Sequence, residues 1–317
     1  MAPPGRHPPI AAKRGPAVFG ELRRLAPLHA YRVGSLIARA MPGPVAASSA
    51  DAFGYAFAGA MRSRRSMIER HLRRVHGGEI GPFALEQLVQ LAFTSYARYW
   101  VESFRLPSMT AAQLEDGMTY DGLERIDAAR AEGKGVILAL PHLGGWDFGG
   151  AWLATRGYSL TVVVEPVEPP ELFEWFAEFR RSLGMTIVPL GPVAGQAVLQ
   201  TLRRNGIVAL LTDRDIQRNG VEVEFFGERT TLPSGAATLS LRTGAPLLPT
   251  AAYFEGRIGH RGVVLPAIDT SRQGGFRDDV RRITQDLAHA FEDLIRRAPE
   301  QWHLMQPNWP SDPGYSS

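Results

Sequence analysis

From about residue 120 the chain alternates short apolar runs with helix-length stretches, and this alternation restricts the fold more than any other feature. "GVILALP" (135–141), "SLTVVVE" (159–165), "GMTIVPL" (184–190), "GIVALLTD" (206–213), "VEVEFFG" (221–227) and "APLLPTAAYFE" (245–255) have the length and β-branched content of strands. Between most of them, 147–156, 170–183, 194–205 and 234–243 read as helices. Strands alternating with helices at this spacing predict an α/β fold: a mixed, mostly parallel central sheet with helices on both faces.

The chain before residue 110 differs. Residues 18–41 place Val18, Leu22, Leu25, Val33, Leu36 and Ala40 near helical spacing, with Arg23, Arg24, Arg32 and Arg39 on or near the other face. Pro27 should kink that helix. A second basic helix carries Arg62, Arg64, Arg65, Arg70, Arg73 and Arg74, and 83–106 reads as a long apolar helix. The expected layout is one domain over 17–310, with a helical layer at 17–110 and an α/β core at 120–310. Residues 1–16 and 311–317 are expected to be disordered.

Charge is uneven along the chain. Residues 1–80 hold 13 Lys and Arg against 4 Asp and Glu, a net of +9, and the remainder holds 22 against 28, a net of −6. A basic segment on a near-neutral body points to an anionic surface as partner. The basic first helix fits an interfacial amphipathic helix, or equally a surface helix packed on the core. No zinc finger, RNP motif or basic–aromatic ladder is present, so no nucleic-acid partner is expected. The first 16 residues lack the apolar core of a secretory signal. The charge-free stretch 182–202 contains Pro189 and Pro192 and reads as strand, loop and helix rather than a membrane span. With no cysteine, disulfides and thiolate metal sites are excluded.

The chemistry concentrates in "GVILALPHLGGWDFGGAW" (135–152). His142 follows a buried strand and so lies at the sheet's carboxyl edge, where open α/β sheets place ligands. Gly144 and Gly145 allow a sharp turn and close approach of a substrate to the backbone. Asp147 falls in the first turn of the next helix, where it could orient one imidazole nitrogen and leave the other free to take a proton. That makes a base and its partner without a serine, the nucleophile being the substrate's own hydroxyl. The plainer alternative is that Asp147 caps the helix and His142 is a satisfied turn residue.

His142-x4-Asp147 after an apolar strand resembles motif I of the glycerolipid acyltransferases. "LLTDRDIQRNGVEVEFFGERTTLPSGAATLSLRTGAPLLP" is similar to the lipid A biosynthesis acyltransferase superfamily. "YARYWVESFRL" (96–106), "VEPVEPPELFEWFAEFRRSLGMTIVPL" (164–190) and "QWHLMQPNWP" (301–310) look like the actinobacterial phosphatidylinositol mannoside acyltransferases. The likeness covers roughly residues 20–310, and F-P-E-G-x-R-S of the glycerol-phosphate enzymes is missing.

The resemblance implies transfer of a long-chain acyl group from acyl-CoA, a co-substrate, to the 6-hydroxyl of a mannose on phosphatidylinositol. No cofactor or metal is implied. The protein would be peripheral on the cytoplasmic face of the plasma membrane. By similarity His142 is the base, Asp147 its partner and Glu222 a further site carboxylate, while Glu165 and Arg180 match site-associated positions. Glu222 and Glu224 share a strand face, and Glu222 is preferred; the alternative for both is a solvated face. Asp213, Arg214 and Glu165 are then the next candidates for the acceptor's polar contacts. The absence of Cys and of G-x-S-x-G agrees with direct transfer. Rival readings are a lipid A-type enzyme using acyl carrier protein, a catalytically inert membrane-surface protein and an acyl-CoA hydrolase.

Overall fold

The computed structural model describes residues 15–315, with side chains from residue 23 onward. Four helices come first: α1 (Gly15–Ala40), α2 (Gly43–Ala60), α3 (Arg62–Val75) and α4 (Pro82–Arg105). Then come α5 (Ala111–Asp116), β1 (Met118–Asp121), α6 (Glu124–Ala131), β2 (Val136–Leu140), α7 (Trp146–Thr155), β3 (Leu160–Val164), α8 (Pro170–Ser182), β4 (Thr186–Pro189), α9 (Ala194–Arg203) and β5 (Ile207–Leu211). The chain continues through β6 (Val221–Phe225), β7 (Glu228–Leu232), α10 (Gly235–Thr243), β8 (Leu247–Glu255), β9 (Gly259–Val264) and α11 (Phe276–Arg296).

Seven strands form the central sheet in the order β1-β9-β8-β2-β5-β3-β4, parallel except for the β8–β9 pair. β2 lies inside it, paired on both edges, and helices cover both its faces. Val136 and Leu138 join the cluster under α6 and α7, while Ile137 and Ala139 join the one under α9, α10 and α11. This is the two-residue alternation of a strand buried on both sides, and each large side chain so buried contributes about 1.5–3 kcal/mol.

α1, α2 and α3 pack on α4, giving the expected helical layer. A Cβ on Gly54 of α2 would lie 2.6 Å from Thr94 Cα, so glycine is what lets α2 approach α4 this closely. Among the described residues no helix is long and apolar enough to cross a membrane. The charge-free stretch is β4 and α9, as its prolines suggested.

Two expectations need correction. "VEVEFFG" is a strand, but it lies outside the central sheet, in an antiparallel hairpin with β7. The loop is Phe226–Gly227 with φ of 52° and 72°, the two positive values that a tight hairpin turn of matching twist requires. The tail expected to be disordered from 311 is tied down at its start, because Asp312 is buried and bonded to Arg74 and to the N–H groups of Asn308 and Trp309. Helix α1 already includes Gly15 and Pro16, and the rest of the N-terminal segment lies outside the described residues.

Candidate active site

β2 and β5 are neighbours, yet their onward connections run opposite ways. After β2 the chain crosses one face through α7 to β3; after β5 it crosses the other through α10 to β8. Such a divergence opens a crevice at the carboxyl ends of the two strands. Leu140 pairs with Leu211, and Thr212 N–H donates to Leu140 O, so His142 and Asp213 face each other across that crevice.

They are bonded there. His142 Nδ1 is 2.6 Å from Asp213 Oδ1, and the His142 backbone N–H donates to Asp213 Oδ2 at 2.9 Å. The Trp302 indole N–H donates to the same Oδ2 at 2.8 Å. Burial pushes the Asp213 carboxyl up. The charge of the His142 ring, its hydrogen bond, the Trp302 donor and the His142 N–H outweigh this and hold Asp213 below the ordinary carboxylate range. An ionised carboxylate only accepts, which puts the imidazole proton on Nδ1 and leaves Nε2 as the acceptor. Nε2 has no hydrogen-bond partner among the described residues, and the side chain is 27% exposed and lines a cavity.

Asp147 does not hold His142, a correction to the expected pairing. Arg180 donates to it through Nε at 2.8 Å and Nη2 at 3.0 Å, and Tyr99 O–H donates to Oδ2 at 2.8 Å. Burial alone would lower Arg180, but the Asp147 carboxylate more than reverses that and holds it fully charged. Tyr99 is pushed well up by burial, then by the Asp147 charge, and stays protonated. The triad ties α7 to α8 and α4. Asp147 acts on the imidazole only indirectly: it fixes the start of α7, whose Trp146 ring stacks on Tyr99 at 4.2 Å and stands edge-on to His142 at 5.5 Å.

The glycines have a different use from the one expected. Gly144 has φ of 63°, and a Cβ there would sit 2.2 Å from Ala252 O. It is the backbone of β8, not a substrate, that approaches this turn: Gly145 N–H donates to Ala252 O at 2.7 Å.

The structure does not bring Glu222 and Glu224 to the cavity. Both are exposed on the β6–β7 hairpin, Glu222 near Arg229 at 3.6 Å, and neither lines the cavity. They occupy a solvated strand face. Glu165 and Arg214 do line the cavity beside His142, and so do Arg180 and Asp147. Asp213 is fully buried, so its role shifts from substrate contact to holding His142.

The cavity measures about 430 Å³, within the usual range for ligand sites. Residues of the sheet and of α7 line it, Leu138, Leu140, Val162, Leu211, Met118 and Met185 among the apolar ones, and its polar groups include His142, Glu165 and Arg214. Sequence reasoning missed the groups behind the imidazole. His303 N–H donates to His142 O at 2.7 Å, and its ring meets Ser95 Oγ at 2.8 Å. Burial, and then the neighbouring His142 charge, push His303 down to about 3. The "QWHLMQPNWP" segment was the available signal.

The family model described as "Bacterial lipid A biosynthesis acyltransferase" matches residues 22–311. A phosphatidylinositol mannoside acyltransferase of Mycobacterium tuberculosis (strain CDC 1551 / Oshkosh) is 39% identical over 289 residues, covering 89% of this chain and 88% of that one. The enzyme of that name from Mycolicibacterium smegmatis is 37% identical over 291 residues, covering 89% and 91%. A lipid A biosynthesis acyltransferase of Haemophilus influenzae is 26% identical over 222 residues, covering 68% and 67%.

Proposed function

The chain belongs to the bacterial lipid A biosynthesis acyltransferase family and is an acyltransferase, and from that premise we propose that it moves a long-chain acyl group from acyl-CoA to the mannose 6-hydroxyl of a phosphatidylinositol mannoside. The observation that carries this reading is a free imidazole nitrogen, backed by a buried carboxylate, lining a cavity walled mainly by apolar side chains. The acceptor follows the mannoside relatives, whose identity of 39% and 37% exceeds the 26% of the lipid A relative.

The chemistry follows from the parts. The acyl chain lies among the aliphatic side chains that line the cavity, which brings its thioester to His142. His142 Nε2 takes the proton as the mannose oxygen attacks the carbonyl carbon. The tetrahedral intermediate then collapses, the carbon–sulfur bond breaks, and the imidazolium returns its proton to the leaving thiolate. Asp213 keeps the ring in the working tautomer throughout and stabilises the imidazolium. Arg214 and Glu165 at the cavity edge contact the polar parts of the two substrates.

A lipid acceptor places the enzyme at a membrane, here the cytoplasmic face of the plasma membrane. Val33, Leu36 and Ile37 on α1 are all more than half exposed, beside Arg32 and Arg39. Apolar and basic groups together suit peripheral binding to anionic lipid.

Purified protein is incubated with palmitoyl-CoA or a palmitoylated carrier protein. The acceptors are mannosylated phosphatidylinositol, a lipid A precursor and water, and products are read by mass spectrometry. Acyl-mannoside formed from the CoA donor is the expected result. Acylated lipid A precursor, or free palmitate with no acylated lipid, would overturn the acceptor.

A further inference from the structure

The segment "QWHLMQPNWP" shapes none of the substrate cavity, yet it touches both halves of the His142–Asp213 pair. Gln301 O accepts from Gly144 N–H at 2.9 Å, and His303 N–H donates to His142 O at 2.7 Å. Asn308 Nδ2 donates to Asp213 O at 3.1 Å. The segment is itself anchored by Gln301, whose side-chain amide bonds both backbone groups of Phe254 on β8, at 2.7 and 3.1 Å. From this strap Trp302 sends its indole N–H to Asp213 Oδ2.

We propose that Trp302 is a positioning residue for the transfer reaction: its indole N–H pins the Asp213 carboxylate so that Oδ1 is presented to His142 Nδ1. The inference rests on His142 being the base. Oδ2 takes two donors, the His142 backbone N–H and the indole, and Oδ1 takes the ring alone. Of the three, the indole is the donor that does not come from His142, so it fixes the carboxylate independently of the residue it serves. A buried carboxylate stripped of a donor binds a proton more readily and holds an imidazolium more tightly. Both effects make the pair harder to deprotonate.

The same strap supplies a control. Trp309 is fully buried and stands edge-on to Trp302 at 6.2 Å, but its indole N–H donates to Phe225 O at 3.1 Å and not to Asp213. Trp302→Phe and Trp309→Phe each remove one buried indole donor and similar packing. A merely structural strap predicts similar effects from both.

The variants are assayed for CoA release and acyl-lipid formation from palmitoyl-CoA across pH, beside wild type and His142→Ala. Trp302→Phe is expected to lower kcat by about 10-fold, less than the roughly 10²–10⁴-fold that loss of the base itself would cost. KM should be unchanged, and the acid limb of the kcat profile should move to higher pH. Trp309→Phe should keep the wild-type profile, whatever its loss of stability. A folded Trp302→Phe with wild-type kcat and pH profile overturns the inference, as does an equal displacement in Trp309→Phe. Should Trp302→Phe fail to fold, Trp302→Leu, which likewise carries no donor, takes its place under the same criterion. A fully active His142→Ala overturns the base assignment and the inference with it. An inactive His142→Ala beside a normal Trp302 variant overturns the inference alone.

Discussion

His142 and Asp213 meet through two contacts at once, ring Nδ1 to Oδ1 at 2.6 Å and backbone N–H to Oδ2 at 2.9 Å. The double contact fixes the carboxylate's plane relative to the imidazole. Asp213→Asn would offer an amide that can donate to Nδ1 and stabilise the wrong tautomer. Its kcat should fall by about 10²–10⁴, as should that of His142→Ala, with substrate binding little changed. Steady-state kinetics on the folded variants check this, and wild-type turnover by Asp213→Asn would exclude Asp213 as the partner.

Asp147 should show itself mainly in stability. Its side chain is 4% exposed and that of Arg180 13%, so removing one partner strands the other charge in the interior. Asp147→Ala is expected to lose about 3–5 kcal/mol in urea unfolding. Pairing it with Arg180→Met should recover part of that loss, because no buried charge is then left over. Additive losses in the double variant would contradict the interpretation.

The hairpin carboxylates should be silent. Glu222→Gln and Glu224→Gln alter exposed side chains away from the cavity and should stay within about 0.5 kcal/mol of wild type with unchanged kcat. Arg214→Ala, at the cavity edge, should raise KM. A kcat defect in Glu222→Gln would return that residue to the site.

His303 predicts a pH dependence of stability. Its folded value is about 3 against an ordinary 6.5, so between those limits the unfolded chain binds a proton that the folded chain does not. Stability therefore rises with pH through that window and falls as pH drops below 6.5, by about 1.4 kcal/mol per pH unit for one such group. Urea unfolding from pH 7 to pH 4.5 should show this slope, and His303→Gln should flatten it by one proton. An unchanged slope in the variant would assign the effect elsewhere.

The sequence by itself determined what depends on near neighbours along the chain. Apolar runs marked β2, β3, β4, β5 and β8 and their helices, and His142 was placed at the carboxyl edge because it directly follows one such run. Local pattern also produced the two misplacements. Asp147, five residues downstream in the first turn of α7, looked like the partner, and "VEVEFFG" alternated like a sheet strand although its Phe–Gly turn folds it onto β7. Only the tertiary structure decided who holds the imidazole. Asp213 lies 71 residues from His142, and Trp302 lies 89 from Asp213. Periodicity reports which face a side chain takes, but not which distant segment covers it. That depends on strand order, and here the adjacency of β2 and β5, with connections leaving on opposite faces, brings the two carboxyl ends together.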